Sequence, residues 1–321
     1  MTRAIIATET GGPEVLQFAD APELVPGAGE LLVETIAAGV NFIETYQRSG
    51  TYRVQFPFTP GGEGAGRVLA VGDGVTGFAV GELVTTAEAQ GTYAERFIVE
   101  AARAVAVPSG IEADTAAALP LQGLTAHYLA TSAARPEPGE TVLLHAGAGG
   151  VGFLLTQILT ARGVRVLTTA STPEKQALSR AAGADAVLDY AGFAERAREL
   201  TGGTGVAVVY DGVGKDTFDD SLRALRVRGE LVLFGAASGP VPPFDLQRLN
   251  AGGSLSVTRP SLGHFLQTAE ERAWRYGELF DLIAAGGLDI RIGARFPLAE
   301  AAAAHAALEG RQTTGKVILE V

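Results

Sequence analysis

The chain has 321 residues, of which 47% are apolar and 19% charged, with a net charge of −11 and no cysteine. This length accommodates two domains with separate cores. The missing cysteines exclude disulfides and thiolate-rich zinc sites, and the acidic balance speaks against nucleic acid as a partner. No apolar run reaches membrane-spanning length, and Met1-Thr2-Arg3-Ala4-Ile5 does not open a signal peptide. A cytoplasmic protein with no membrane partner is expected.

From Met1 to about Ala118, short alternating segments at Glu30–Ala37, Gly66–Val71, Gly81–Thr86, Tyr93–Val99 and Ala104–Val107 are separated by turns such as Gly72-Asp73-Gly74. They predict a compact antiparallel β-barrel. The rhythm changes near Leu121. Strands predicted at Thr141–His145, Val164–Thr169, Ala186–Leu188, Val206–Tyr210 and Glu230–Phe234 alternate with helices predicted at Val151–Ala161, Pro173–Ala182, Phe193–Leu200 and Thr217–Leu225. Such alternation implies right-handed crossovers and a Rossmann-type, doubly wound parallel sheet, an α/β fold. Gly253–Val257 is the candidate sixth strand. A helical Ala269–Ala285 and a last strand, Lys316–Val321, are expected to return to the first domain. The expected domains are therefore residues 1–120 with 260–321, and residues 121–259.

The turn Gly147-Ala148-Gly149-Gly150-Val151-Gly152 lies between a predicted strand and a predicted helix. In that setting glycines let the backbone approach a pyrophosphate and aim free helix N–H groups at it. NAD enzymes of this fold carry an acidic residue at the tip of the second strand to bind the adenosine ribose. Here the tip reads Thr169-Ala170-Ser171-Thr172, with no carboxylate before Glu174 and with Lys175 following. A serine and a lysine suit a 2′-phosphate, so NADP(H) is the expected cofactor. Tyr190 and Arg180 are further candidates for the same phosphate.

Several motifs together resemble the zeta-crystallin-like quinone oxidoreductases, zinc-free members of the medium-chain dehydrogenase/reductase superfamily. They are Asn41-Phe42-Ile43-Glu44-Thr45-Tyr46-Gln47-Arg48-Ser49-Gly50-Thr51-Tyr52, Gly123-Leu124-Thr125-Ala126, the glycine turn, Val209-Tyr210-Asp211-Gly212-Val213-Gly214 and Val257-Thr258-Arg259-Pro260-Ser261-Leu262. The resemblance spans essentially the whole chain. It implies a GroES-like catalytic domain beside the Rossmann domain.

It also implies roles for individual residues. Asn41 and Tyr46 would lie near the nicotinamide ribose and the substrate, with Thr125 at the nicotinamide end. Gly149, Gly150, Val151 and Gly152 would cradle the pyrophosphate, and Ser171, Lys175 and Tyr190 would meet the adenosine end. Phe234, Gly235 and Ser238 would line the nicotinamide side, and Arg259 and Gly315 would complete the cleft. Asp211 reads as structural. Zinc-dependent relatives carry cysteine near Asn41–Glu44 and a His-Glu pair where this chain has Gly62-Glu63. Glu63 alone builds no zinc site, and His127, His145, His264 and His305 show no ligand spacing.

The implied activity is NADPH-dependent reduction of a small-molecule quinone, with Tyr46 and Tyr52 offering flat apolar walls and water or a tyrosine supplying the proton. Two alternatives stay open: an NADPH-dependent reductase of enones and other activated alkenes, and a non-catalytic NADPH-binding protein of crystallin-like or RNA-binding type. The segment Ser254-Leu255-Ser256-Val257 is the candidate edge for a homodimer. No GxSxG elbow supports a serine hydrolase.

Overall fold

Alternating apolar positions in the first third of the chain fold as strands in the computed structural model, which describes residues 2–310 and 313–321. Met1, Arg311 and Gln312, inside the first domain expected from the sequence, lie outside the described residues. The strands here are β1 (Thr2–Ile6), β2 (Gln17–Ala21), β3 (Glu30–Val40), β4 (Gly64–Val71), β5 (Leu83–Thr86), β6 (Arg96–Glu100) and β7 (Val105–Ala106). Helix α1 (Phe42–Arg48) interrupts them, and α2 (Ala113–Ala118) and α3 (Pro120–Tyr128) follow.

Beyond α3 the chain alternates strand and helix: β8 (Thr141–Leu144), α4 (Gly150–Ala161), β9 (Arg165–Thr169), α5 (Pro173–Ala181), β10 (Ala186–Leu188), α6 (Phe193–Leu200), β11 (Val206–Asp211), α7 (Phe218–Ala224), β12 (Leu225–Leu233), α8 (Gln247–Ala251) and β13 (Ser256–Thr258). The last elements are α9 (Ala269–Ala284), β14 (Ile292–Pro297), α10 (Ala301–Glu309) and β15 (Lys316–Glu320).

Two compact units result. One comprises the residues up to Gln122 with Tyr276–Ala285 and the stretch from Ile290 onward; the other comprises Gly123–Arg275 and Gly286–Asp289. Residues 260–275 thus go with the second unit, not with the first as the sequence suggested. The reason is visible at Arg275, which is fully buried and donates to Phe265 O at 2.9 Å and to Ser132 Oγ at 3.0 Å, while its Nη1 lies 3.0 Å from His127 Nδ1.

In the first unit the long β3 organises the sheet. Its residues Glu30–Glu34 pair with β6, Ala37–Val40 pair with β15 along the same edge, and β4 runs along the other edge. A strand shared end to end in this way bends the sheet around its own core, here Leu31, Val33, Val68, Val84 and Phe97. A second cluster of Ile5, Val40, Tyr93, Leu298, Ala304 and Val317 packs under α10.

In the second unit, among the described residues, six parallel strands stand in the order β10-β9-β8-β11-β12-β13. Counting from β8, this is the 3-2-1-4-5-6 order of a dinucleotide-binding sheet. All six residues of β11 are buried, as a central strand covered on both faces requires. The sixth strand starts later than its sequence suggested. Gly253 (φ +113°) and Ser254 (φ +56°) take left-handed conformations that no strand contains, and Leu255 turns into the core.

Candidate dinucleotide and substrate site

The second unit carries the glycine turn between β8 and α4, at the carboxyl ends of the strands. A Cβ on Gly152 would lie 2.2 Å from Ala146 O, and one on Gly147 would lie 2.6 Å from Thr168 Cβ. Both positions admit only glycine, which draws α4 down onto the sheet. Gly149 is the N-cap, so the amides of Gly150, Val151 and Gly152 open the helix with no intrahelical acceptor. Ala146, just before the turn, holds φ at +56°, a conformation costly for a residue with a side chain. Backbone close enough for a phosphate, unpaired N–H groups and a helix dipole fit a pyrophosphate.

A buried chain of hydrogen bonds fixes this strained corner. Ser221 Oγ donates to Asp211 Oδ2 at 3.0 Å, because an ionised carboxylate only accepts. With its one hydrogen spent, Ser221 accepts from His145 Nε2 at 2.9 Å. His145 Nδ1 is then the acceptor for Thr169 Oγ1 at 3.0 Å, and Thr169 Oγ1 takes the Ala146 N–H at 3.2 Å. Burial holds the imidazole below its ordinary pKa against the pull of Asp211, which keeps this neutral tautomer. Asp211 also accepts from the Val213 and Gly214 amides and from Thr217 Oγ1. It is structural, as read from the sequence. Sequence reasoning missed the network, although a histidine ending an apolar strand and an aspartate ending another were the available signals.

Several of the remaining second-unit candidates follow the carboxyl ends of its strands in the chain. Ser171 is exposed just beyond β9, and Lys175 is the third residue of α5 behind the N-cap Thr172 and Pro173, a strong helix start. Tyr190 stacks on His145 with ring centroids 6.1 Å apart. Phe234 and Gly235 press on Gly212, where a Cβ would meet the Phe234 ring at 2.8 Å. Ser238 donates to Val213 O at 2.8 Å and accepts from Asp216 N at 3.0 Å, so its hydroxyl is committed to the loop itself. Thr125 is half-buried on α3, and Arg259 is exposed after β13.

In the first unit Asn41 is the N-cap of α1, and its own N–H donates to Glu44 Oε2 at 2.8 Å. The helix carries Tyr46, whose carbonyl accepts the Tyr52 N–H at 2.9 Å and whose ring meets that of Tyr52 edge-on at 5.4 Å. Tyr52 is 46% exposed and leaves an aromatic surface open. Gly315 (φ +70°) turns the chain into β15 and so delivers Lys316 to Asn41: Lys316 Nζ donates to Asn41 Oδ1 at 2.6 Å and to Glu63 Oε2. Asn41 Nδ2 donates to the same Glu63 oxygen at 2.8 Å. Burial pushes the Glu44 carboxyl up to about 7, with the Lys316 ammonium opposing. Burial also raises Tyr93 well above its ordinary value and lowers His305 to about 3.

Comparisons with known proteins give the fold and the family. A model of the "Alcohol dehydrogenase GroES-like domain" matches residues 27–109, and one of "Zinc-binding dehydrogenase" matches residues 150–276. The chain is 46% identical over 323 residues to a quinone oxidoreductase of Pseudomonas aeruginosa, covering 99% of each chain. It is 39% identical over 329 residues to a 2-haloacrylate reductase of a Burkholderia species, again covering 99% of each. A mycobacterial protein solved in complex with NADPH superposes with a TM-score of 0.97 at 54% identity, over 100% of both chains. The fold is that of the medium-chain dehydrogenase/reductase superfamily, with a GroES-like domain and a Rossmann domain. Within it, the chain belongs to the quinone oxidoreductase family.

One family description names zinc, and the donors present do not fit it. Among the described residues no three His, Cys, Asp or Glu side chains converge to hold a metal. Glu63, where the zinc-dependent pattern has its acidic residue, accepts from Lys316, Asn41 and Leu121 N. An ammonium occupies the carboxylate that a metal would need.

Proposed function

We propose that this oxidoreductase uses NADPH to reduce quinones and that it does so without zinc. The observation that carries the reading is the Lys316–Glu63–Asn41 cluster, which commits the buried carboxylate to an ammonium. Without a Lewis acid to polarise a substrate oxygen, an acceptor that is already easy to reduce is favoured, and a quinone is one. The quinone oxidoreductases among the relatives and the NADPH complex among the similar structures support it.

Bound NADPH supplies the reducing electrons. The chain's own share is binding and orientation: the amides of Gly150, Val151 and Gly152 hold pyrophosphate, and Lys175 with Ser171 holds the 2′-phosphate. Tyr46 and Tyr52 give a flat acceptor an aromatic face. In the second unit Thr125, Phe234, Gly235, Arg259 and Ser238 are the further cofactor-side groups, Ser238 through its backbone because its hydroxyl is engaged; in the first unit Asn41 and Gly315 stand with Tyr46 on the substrate side.

The 2-haloacrylate reductase relative favours a second reading, reduction of an activated double bond at the same site. NADPH oxidation measured side by side with quinones, enones and 2-haloacrylates, with NADH in parallel, tests both. Turnover of quinones well above the alkenes supports the first reading, and the reverse ranking replaces it with the second. We also propose a homodimer joined along β13, which stands at the open end of its sheet with Ser256 and Val257 exposed.

A further inference from the structure

The ion pair inside the first unit is costly to build. Lys316 is 1% exposed and Glu63 0%. Taking both charges out of water costs several kcal/mol per ion, and a well-packed apolar pair of the same volume is often as stable or more so. The surroundings are nonetheless shaped to hold it. A Cβ on Gly39 would lie 2.0 Å from Glu63 Oε2 and 2.9 Å from Lys316 Cε, so the pair has room only because residue 39 is glycine. Glu63 Oε1 is held separately by the Leu121 N–H at 2.7 Å, which fixes the direction in which Oε2 points.

The consequence falls on Asn41. Its Oδ1 faces the ammonium and its Nδ2 faces the carboxylate. Turning the amide over would set Nδ2 against the ammonium and Oδ1 against the carboxylate, two repulsive contacts in a site of low dielectric. Only one orientation is allowed. Asn41 is also where α1 begins, and α1 carries the Tyr46 side of the aromatic pair.

We propose that Lys316 is a positioning residue: clamped by Glu63, its ammonium is a fixed internal cation that sets the Asn41 amide and, through it, the start of the helix bearing Tyr46. This rests on the reading of Asn41 and Tyr46 as substrate-side groups.

Two variants test it, Lys316→Met and the double variant Lys316→Met/Glu63→Gln. The first strands a buried carboxylate and lowers Tm. The second removes both charges, so Tm recovers, but a neutral amide at 63 no longer dictates how Asn41 points. We expect NADPH affinity, measured by nicotinamide fluorescence, to fall far less than kcat in both variants, because the groups read for its pyrophosphate and 2′-phosphate, from Gly150 to Gly152 with Ser171 and Lys175, are untouched. We expect kcat to stay more than about tenfold below wild type in the double variant even where its Tm is restored. A kcat that recovers together with Tm, or a Lys316→Met enzyme with wild-type kcat, overturns the proposal. The assay uses whichever acceptor the wild type reduces fastest, so failure of quinone as substrate is read separately from failure of the positioning role.

Discussion

Replacing Glu44 by glutamine isolates the cost of one buried charge. Glu44 is 1% exposed, and its carboxyl is pushed from 4.5 to about 7, first by burial, with Lys316 pulling it down and Glu63 pushing it further up. The folded-state value lies above the unfolded one, so the native state binds the extra proton. Stability is therefore complete below about pH 4.5 and is lost as pH rises through about 7. A rise of about 2.5 units at 1.36 kcal/mol each amounts to about 3 kcal/mol, an upper bound because Glu63 and Lys316 respond to the same proton. Glutamine keeps an oxygen for the Asn41 N–H and never ionises. Melting curves of wild type and Glu44→Gln between about pH 5 and 9 cancel the titrating groups that do not interact with Glu44. The variant's advantage should be small at the acid end and grow to about 3 kcal/mol above pH 8, about 5 °C in Tm for a chain of this length. A difference that does not change with pH would refute the argument that burial charges Glu44 at a cost.

Lys175→Ala should raise KM for NADPH more than about tenfold and leave NADH nearly unchanged, since a charge-assisted bond to phosphate is worth about 1.5–3 kcal/mol; equal losses with both cofactors would remove Lys175 from the phosphate site. Ser221→Ala leaves the His145 Nε2–H without an acceptor and should lower stability by about 1–3 kcal/mol while weakening NADPH binding, which urea titration and fluorescence would read. Val257→Lys places a charge on the exposed edge of β13 and should shift sedimentation from dimer to monomer with the cofactor site intact. An unchanged sedimentation coefficient would place any dimer interface elsewhere. Leu255 is unsuited to this test, because it is 7% exposed in the core and donates to Leu249 O at 3.0 Å.

The second unit was legible in the sequence because buried parallel strands are continuous apolar runs, and the glycine turn marks where the first strand ends. The first unit was legible only at strand centres. β14 alternates half-buried and exposed residues along Ile292–Pro297 and gives little apolar signal, and β1 and β2 were not predicted. α1 spans seven residues, too few for helical periodicity to show, and only the family resemblance marks its motif. The site divided in the same way. Backbone-determined parts, such as Gly152 and the Thr172-Pro173 start of α5, follow from local residue types. Side-chain clusters do not: Lys316 and Glu63 meet across 253 positions, and His145 reaches Ser221 across 76. No spacing rule brings such partners together; only the folded sheet does. Lys316, one of three lysines, standing before Val317-Ile318-Leu319, was the residue whose oddity deserved the most weight.

Electron transfer from NADPH to a quinone is proposed to proceed with no metal taking part. The most direct measurement is the rate of NADPH oxidation by a quinone before and after exhaustive chelation, on protein whose metal content is determined by mass spectrometry. An unchanged rate on protein free of stoichiometric zinc is the expected result. Loss of turnover on chelation, restored by added zinc, would contradict it.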